Sequence, residues 1–214
     1  MAKSSKQWLR RHVTDAYVRK AKEQGYRSRA AFKLLELDSR ERFLRPGAVV
    51  VDLGAAPGSW SQVAAARVRP GGKVIAVDLL DIAPISGATV LKGDFRRLDL
   101  LQALKGERAD VVLSDLSPNL SGIANVDQAR AAELSFAAID FCKKALRSDG
   151  VFALKAFHGE AFGEVMQRLK QEFVSVSVRK PVASRGESKE TYLVLRNPRK
   201  IGASGSPLKT GAST

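Results

Sequence analysis

The sequence predicts an α/β fold in which a mostly parallel sheet is covered by helices on both faces. Short apolar, β-branched segments alternate with helical patterns from residue 48 to residue 171. Turns rich in glycine and proline separate these segments, for example at Pro46-Gly47 and Pro70-Gly71-Gly72. Such alternation is typical of parallel strands joined by crossover helices. A chain of 214 residues is long enough for one domain of this kind.

The predicted elements follow one another in a regular order. Five strands are expected over 48–53, 74–78, 88–91, 110–115 and 151–157. Helices are expected over 28–44, 59–68, 127–147 and 160–171, where the apolar residues follow a helical period. Segments 173–178 and 191–195 have strand character, and we expect them to add an antiparallel edge to a sheet of seven strands.

Three regions of different composition divide the chain. Residues 1–27 predict a basic arm or helix, residues 28–200 a single domain, and the Gly/Ser/Thr-rich residues 201–214 a disordered tail. No apolar run reaches the roughly 18 residues that span a bilayer, and no signal segment is recognisable. The single cysteine, Cys142, has no partner for an internal disulfide. We therefore expect a cytoplasmic protein that does not enter membranes.

The formal charge of +14 is concentrated in two flanking segments. Residues 1–45 contain 13 Lys/Arg and 5 Asp/Glu, and residues 167–200 contain 9 and 3. The intervening residues 46–166 contain 13 and 14, so the middle of the chain is nearly neutral. Two basic flanks around a neutral domain favour a polyanion-binding surface over a solvated surface without a partner.

A glycine-rich turn, Asp52-Leu53-Gly54-Ala55-Ala56-Pro57-Gly58, follows the first strand. It lacks the Gly-x-Gly-x-x-Gly spacing that binds a pyrophosphate, so it suits a nucleoside better than a dinucleotide. Asp78 ends the second strand, where an acid typically accepts hydrogen bonds from ribose hydroxyls. Asp94 follows the third strand and is a candidate acceptor for an adenine amino group, while Trp60 is expected to pack beside the ligand. The pattern alone leaves NAD as an alternative, and a single Asp here would more often be a helix cap.

Two later strand ends carry a possible charge pair. Asp115 ends the fourth strand, and Lys155 lies within the apolar run 151–157. A lysine on a buried strand is unfavourable unless it is paired. The residues by themselves leave open whether Lys155 and Asp115 form a structural ion pair or part of an active site.

Six segments resemble, in order, the FtsJ family of ribosomal RNA 2′-O-ribose methyltransferases. They are YRSRAAFKL (26–34), DLGAAPGSWSQ (52–62), GDF (93–95), SDLSPN (114–119), KAF (155–157) and SKETY (188–192). The resemblance extends over about residues 10–200. It implies a Rossmann-like class I methyltransferase fold with S-adenosylmethionine as the cofactor. Two departures stand out: Ser59 where the family usually has Gly, which could alter the cofactor loop, and Leu116-Ser117 where it has Met-Ala.

The resemblance also assigns roles to individual residues. It implies a catalytic set of Lys33, Asp115, Lys155 and Glu190. It implies cofactor contacts at Gly58, Trp60, Asp78, Asp94 and Asp115, beside Gly54 of the same turn. Without it, Lys33 would be interpreted as a solvated or phosphate-binding residue and Glu190 as an ordinary strand charge.

The implied reaction needs a placed ribose 2′-hydroxyl and removal of its proton. Because the sulfonium methyl group is already electrophilic, no metal is expected. The resemblance implies that Lys155 is the base, and the sequence leaves two versions of the mechanism open. In one, neutral Lys155 takes the proton; in the other, charged Lys155 orients the hydroxyl and stabilises developing negative charge.

The basic flanks suit an RNA substrate, with phosphate contacts that position it. The resemblance implies a uridine of 23S ribosomal RNA within the assembled large (50S) subunit, and we expect a monomeric enzyme. Alternatives are an NAD-dependent oxidoreductase, an inactive RNA-binding assembly protein, and a methyltransferase of transfer RNA or of an RNA cap. The candidate phosphate contacts are Lys3, Lys6, Arg10, Arg11, Arg19, Lys20, Arg27, Arg29, Arg179, Lys180, Arg185 and Lys189.

Overall fold

The computed structural model describes residues 15–184 and 189–199. The helices are α1 Ala16–Glu23, α2 Ala30–Glu41, α3 Ser59–Arg67, α4 Leu100–Ala103, α5 Ala124–Ala145 and α6 Phe162–Glu172. The strands are β1 Val49–Leu53, β2 Lys73–Asp78, β3 Ala88–Lys92, β4 Ala109–Ser114, β5 Leu146–Phe157, β6 Phe173–Arg179 and β7 Glu190–Pro198. The tail 201–214 and most of the basic arm lie outside the described residues. None of the described helices is long and apolar enough to cross a membrane.

The seven strands form one sheet in the order β3-β2-β1-β4-β5-β7-β6. The first five strands in this order are parallel to one another, whereas β7 runs antiparallel to both β5 and β6. This confirms the predicted fold class. The antiparallel strand does not lie at the edge, however, because β7 is inserted between β5 and β6. Burial explains the order: residues 192–195 of β7 are at most 1% exposed, whereas β6 presents Val174 and Val178 to solvent.

Alternating side chains of the strands build a core on each face of the sheet. On one face, α2 and α3 pack against residues such as Val50, Leu113 and Val194. On the other face, α5 and α6 pack against residues such as Val51, Phe152 and Leu193. With both faces covered, the parallel strands are apolar along most of their length, as the sequence indicated.

The strand order reverses between β1 and β4, which are neighbours in the sheet but not in sequence. In open α/β sheets a crevice forms at such a point, outside the carboxyl ends of the strands. The turn after β1 and the loop after β4 both leave the sheet at this end, and the residues of both line the candidate site.

Candidate functional site

A cleft with a volume of about 790 Å³ opens at the carboxyl ends of β1, β2, β3 and β4. Its lining includes four of the residues predicted from the sequence: Gly54, Asp78, Asp94 and Asp115. These residues come from four different segments of the chain, and the parallel sheet brings them to one edge.

The glycine-rich turn has a backbone that only glycine accepts without strain. Gly54 has a φ of 74°, and a Cβ there would lie 2.8 Å from the Leu116 Cδ2 atom. Gly58 has a φ of 108°, and its Cβ would lie 2.6 Å from both Arg27 Nη1 and Ile85 Cδ1. Since α3 begins at Ser59, the N-terminus of this helix, with its free N–H groups, follows the turn directly.

Asp78 ties the end of β2 to this turn. Its Oδ2 atom accepts a hydrogen bond from Ala56 N at 2.9 Å, and its Oδ1 atom accepts one from Leu80 N at 2.8 Å. Each carboxylate oxygen has further lone pairs, so Asp78 can still accept hydrogen bonds from a bound diol. The carboxylate is therefore held in a fixed orientation at the wall of the cleft.

Asp94 is covered by Arg96. The guanidinium donates to both carboxylate oxygens, with Nη2–Oδ2 at 2.7 Å, and also reaches Glu133 Oε1 at 3.2 Å. The hydrogen bonds from Arg96 lower the pKa of Asp94 below its usual value. Asp94 is consequently a charged hydrogen-bond acceptor in the cleft. An amino group of a ligand would bind the same carboxylate oxygens that already accept hydrogen bonds from Arg96.

Asp52 is a buried carboxyl group that the sequence analysis did not single out. It has no exposed surface, and Ser61 Oγ donates to its Oδ2 atom at 2.6 Å. Its Oδ1 atom has no hydrogen-bond partner among the described residues. Burial raises the pKa of Asp52 to about 7, and the nearby charges of Asp115 and Asp78 add to the rise. Only the position of Asp52 at the end of a buried strand could have indicated this environment from sequence.

Lys155 lies on β5 with 8% of its surface exposed. Its Nζ atom donates to the backbone oxygen of Asp115 at 2.7 Å and to Ser117 Oγ at 2.7 Å, and lies 3.1 Å from Asp115 Oδ1. Three acceptors thus surround an amine that has three protons when charged. Ser117 is a contact that the sequence analysis did not assign.

A second ion pair lies beside this cluster. Lys33 Nζ, on α2, is 2.5 Å from Glu190 Oε1 at the start of β7. Burial raises the pKa of Glu190, but the hydrogen bond and charge of Lys33, together with the charge of Lys155, outweigh it and lower the pKa. The pairing of β7 with β5, which sets Phe157 opposite Glu190, delivers this carboxylate to the same end of the sheet.

Tyr192 connects the two pairs. Its hydroxyl donates to Asp115 Oδ1 at 3.3 Å, and Lys33 Nζ lies 5.6 Å from its ring centroid. Burial and the neighbouring carboxylates raise the pKa of Tyr192 far above its usual value, so the hydroxyl remains a hydrogen-bond donor. The structure therefore brings together all four residues of the predicted catalytic set, Lys33, Asp115, Lys155 and Glu190.

Trp60 occupies a different place from the one expected. The side chain is 2% exposed, its Nε1 atom donates to Ala30 O at 2.9 Å, and its ring packs 5.8 Å from that of Tyr192. Among the described residues it belongs to the core between α2 and α3 rather than to the cleft wall. The sequence around a tryptophan next to a glycine-rich turn does not indicate whether its side chain lies in the cleft wall or in the core.

Three arginines expected to contact phosphate have their guanidinium groups engaged within the protein. Arg27 donates to Pro57 O at 2.9 Å and to Pro84 O at 2.8 Å. Arg29 pairs with Asp15, and Arg179 pairs with Glu41. These groups hold segments of the chain together. Exposed cations in the described flanks include Arg19, Lys20, Lys22 and Lys189, whereas Lys3, Lys6, Arg10, Arg11 and Arg185 lie outside the described residues.

The fold and the cleft define a Rossmann-like methyltransferase of the class that uses S-adenosylmethionine. A family model described as FtsJ-like methyltransferase matches residues 26–198, and the chain belongs to this family. The chain is 49% identical to a protein of Thiobacillus denitrificans named ribosomal RNA large subunit methyltransferase E, over 99% of this chain and 96% of that protein. It is 50% identical to a protein of the same name from an Azoarcus species, over 90% and 96%. The family prediction is thus confirmed.

Solved structures agree with this assignment. A crystal structure of a ribosomal RNA methyltransferase from Plasmodium falciparum superposes with a TM-score of 0.73 at 28% identity, covering 81% of this chain and 98% of that one. Aeropyrum pernix fibrillarin, solved with natively bound S-adenosylmethionine, superposes with a TM-score of 0.56 at 15% identity, covering 79% and 75%. The second likeness concerns the fold alone.

Proposed function

We propose that the protein transfers a methyl group from S-adenosylmethionine to a ribose 2′-hydroxyl of large-subunit ribosomal RNA. The target is the 2′-hydroxyl of a uridine in 23S RNA, within the assembled 50S subunit. The names of the curated relatives support this substrate class. One observation supports the reaction above all others: a buried lysine, Lys155, meets Asp115 at the wall of the cleft. That arrangement suits removal of a proton from a hydroxyl group.

The cleft fits the cofactor by the chemistry of its walls. Gly54 keeps the backbone of the turn close to the opening, Asp78 offers oxygens to a ribose diol, and Asp94 offers oxygens to an adenine amino group. Gly58 lies against Arg27 and Ile85 rather than in the cleft lining, and it acts by shaping the turn. Asp115 presents a carboxylate on which a cofactor amino group can be held. When bound, S-adenosylmethionine supplies an electrophilic methyl group. Trp60 acts indirectly in this proposal, by fixing the start of α3 against α2.

Lys155 acts as the base in its neutral form. The amine takes the 2′-hydroxyl proton on Nζ, and the resulting ammonium is stabilised by the acceptors present in the structure: two oxygens of Asp115 and the Ser117 hydroxyl. Lys33 and Glu190 neutralise each other beside this group.

The test is transfer of labelled methyl groups from S-adenosylmethionine onto large subunits, free ribosomal RNA and transfer RNA. Lys155→Ala and the longer Lys155→Met are expected to lose about 10²–10⁴-fold in rate, the usual contribution of a general base. Lys73→Ala, which removes an exposed lysine at the amino end of the sheet, is the matched control. Labelling at the wild-type rate by both Lys155 variants would contradict the mechanism, and preferential labelling of transfer RNA would contradict the substrate.

A further inference from the structure

The loop that follows β4 presents large apolar side chains to solvent beside the cleft. Residues 116–119 of this loop line the cleft, and the chain then continues outward through Leu120 and Ile123. Leu120 is 78% exposed and Ile123 is 62% exposed. Two large apolar side chains that are mostly exposed, three positions apart on a loop that lines a cleft, are candidates for contact with a ligand of that cleft.

Hydrogen bonds hold the loop in one conformation. The carboxylate of Asp127, in the first turn of α5, accepts from Ser121 N and Ser121 Oγ, both at 2.7 Å, and from Gly122 N at 3.1 Å. Arg130 Nη1 donates to Asn119 O at 3.2 Å. A loop fixed in this way exposes Leu120 and Ile123 persistently, so their exposure is not the result of a poorly packed segment.

The same loop is part of the proposed active site. Ser117 accepts the hydrogen bond from Lys155, only three residues before Leu120. The exposed side chains of Arg96 and Arg130 line the cleft beside this loop, where Arg96 also pairs with Asp94 and Glu133 and Arg130 also donates to Asn119 O. Apolar side chains bordered by cations match a strand of nucleic acid, whose bases have apolar faces and whose phosphates are negative.

We propose that Leu120 and Ile123 form an apolar wedge that packs against the nucleobases flanking the reactive nucleotide and unstacks them. This inference rests on the proposed function, because a ribose must enter the cleft to bring its 2′-hydroxyl to the buried Lys155. Proteins commonly open base steps by inserting apolar side chains, including Leu and Ile. The bases are the partner of the wedge, and the arginines are the partners of the phosphates on either side.

The test compares the double variant Leu120→Ala/Ile123→Ala with the wild type on large subunits that lack the modification. We expect kcat/KM for the RNA to fall about tenfold or more, which corresponds to a loss of about 1.4 kcal/mol or more, because the apolar contact with the bases is removed. The Kd for S-adenosylhomocysteine and the thermal unfolding midpoint should stay unchanged, because both side chains are exposed. The variant Leu120→Phe retains an apolar surface and should retain activity.

Two comparisons separate a wedge from other roles. Leu101→Ala truncates a leucine that is 44% exposed on α4, outside the cleft lining, and should have no effect. The dependence of log K for RNA on log salt should keep its slope in the double variant, because no phosphate contact is lost. An unchanged kcat/KM, a weakened cofactor affinity or an altered salt slope would each overturn the wedge. Failure of the wild type to methylate RNA would instead overturn the proposed function, and the wedge with it.

Discussion

The surroundings of Lys155 are matched to a group that gains a proton during the reaction. Its three acceptors come from Asp115 and Ser117, and all lie within 3.1 Å of Nζ. These acceptors can bind the ammonium group that forms when the amine takes the proton of the hydroxyl. The site is therefore arranged to hold the product of the proton transfer.

The proposed role of Lys155 as a general base predicts how the reaction rate depends on pH. The rate of the chemical step, measured in single turnovers from pH 6 to pH 9, should rise with pH, because general-base catalysis requires the unprotonated form of the base. Lys73→Ala should follow the same profile as the wild type. A flat profile over this range would contradict a titrating lysine base and would favour a permanently charged Lys155 that orients the hydroxyl.

Asp52 gives a prediction about stability. Its pKa is about 7 in the folded protein and near 3.8 in the unfolded chain. Between these values the folded state binds the extra proton, so the free energy of unfolding falls as pH rises from about 4 to about 7, by up to about 4 kcal/mol. Asp52→Asn, which keeps an acceptor for Ser61, should lack this loss.

Urea unfolding at pH 5 and pH 8 measures the difference between the two proteins. Asp149→Asn, at an exposed position, is the control and should behave like the wild type. A wild-type free energy of unfolding that changes with pH no more than that of Asp52→Asn would contradict the raised pKa.

Residue patterns predicted part of the site and missed part of it. The cost of burying Lys155 on a strand indicated a partner, and the structure provides Asp115. Lys33 and Glu190 are 157 positions apart, and only the family resemblance connected them. The engagement of Arg27 by two backbone oxygens was missed, because a basic residue has the same sequence signature whether it meets a carbonyl group or a phosphate.

At the scale of elements, the turn between β1 and α3 depends on glycine for two separate reasons. A left-handed backbone costs any other residue about 1–2 kcal/mol. At Gly58 a side chain would in addition collide with Arg27 and Ile85, which belong to the segments that enclose the turn. The hydrogen bonds from Arg27 to Pro57 and Pro84 join those same segments.

We predict that Gly58→Ala weakens binding of S-adenosylmethionine by at least tenfold, because a φ of 108° strains an alanine and the side chains of Arg27 and Ile85 must move away from the turn. Gly106→Ala is a matched control: Gly106 has a similar positive φ of 81°, and a Cβ there meets nothing within 4 Å. Both variants should lose about 1 kcal/mol of stability, measured by chemical unfolding. Equal cofactor affinity of the two variants, measured by calorimetry, would contradict the role given to the turn.

The strands and main helices were predictable because their apolar periods are strong, and most observed ends lie within three residues of the predicted ones. The insertion of β7 between β5 and β6 was not predictable from segment patterns. The central position goes to the strand that is buried on both faces, which is β7 rather than β6. This burial results from packing against α2 and α6 and not from the local sequence of the strand. The short helix α4 has too few residues to show a period.

At the scale of the whole molecule, the charge distribution supports an electrostatic contribution to RNA binding. Several of the arginines in the described flanks serve the fold, so the contribution must come from exposed cations such as Arg19 and Lys189. Each phosphate contact releases counterions from the RNA, which makes affinity fall as salt rises.

We predict a linear decrease of log K for RNA with log salt between about 50 and 200 mM. Arg19→Glu and Lys189→Glu should each reduce the steepness of that decrease by roughly one unit or less. Lys105→Glu, at an exposed position on the amino side of the sheet, should leave it unchanged. A salt-independent affinity would contradict the electrostatic contribution.

The central claim is that the methyl group is placed on a ribose 2′-oxygen of large-subunit RNA. A 2′-O-methyl group removes the hydroxyl that alkali uses to cleave the adjacent phosphodiester. After transfer from labelled S-adenosylmethionine to large subunits and complete alkaline hydrolysis, the label should be recovered in an alkali-resistant dinucleotide, and Lys155→Ala should give none. Recovery of the label in mononucleotides, which indicates methylation of a base, would contradict the account.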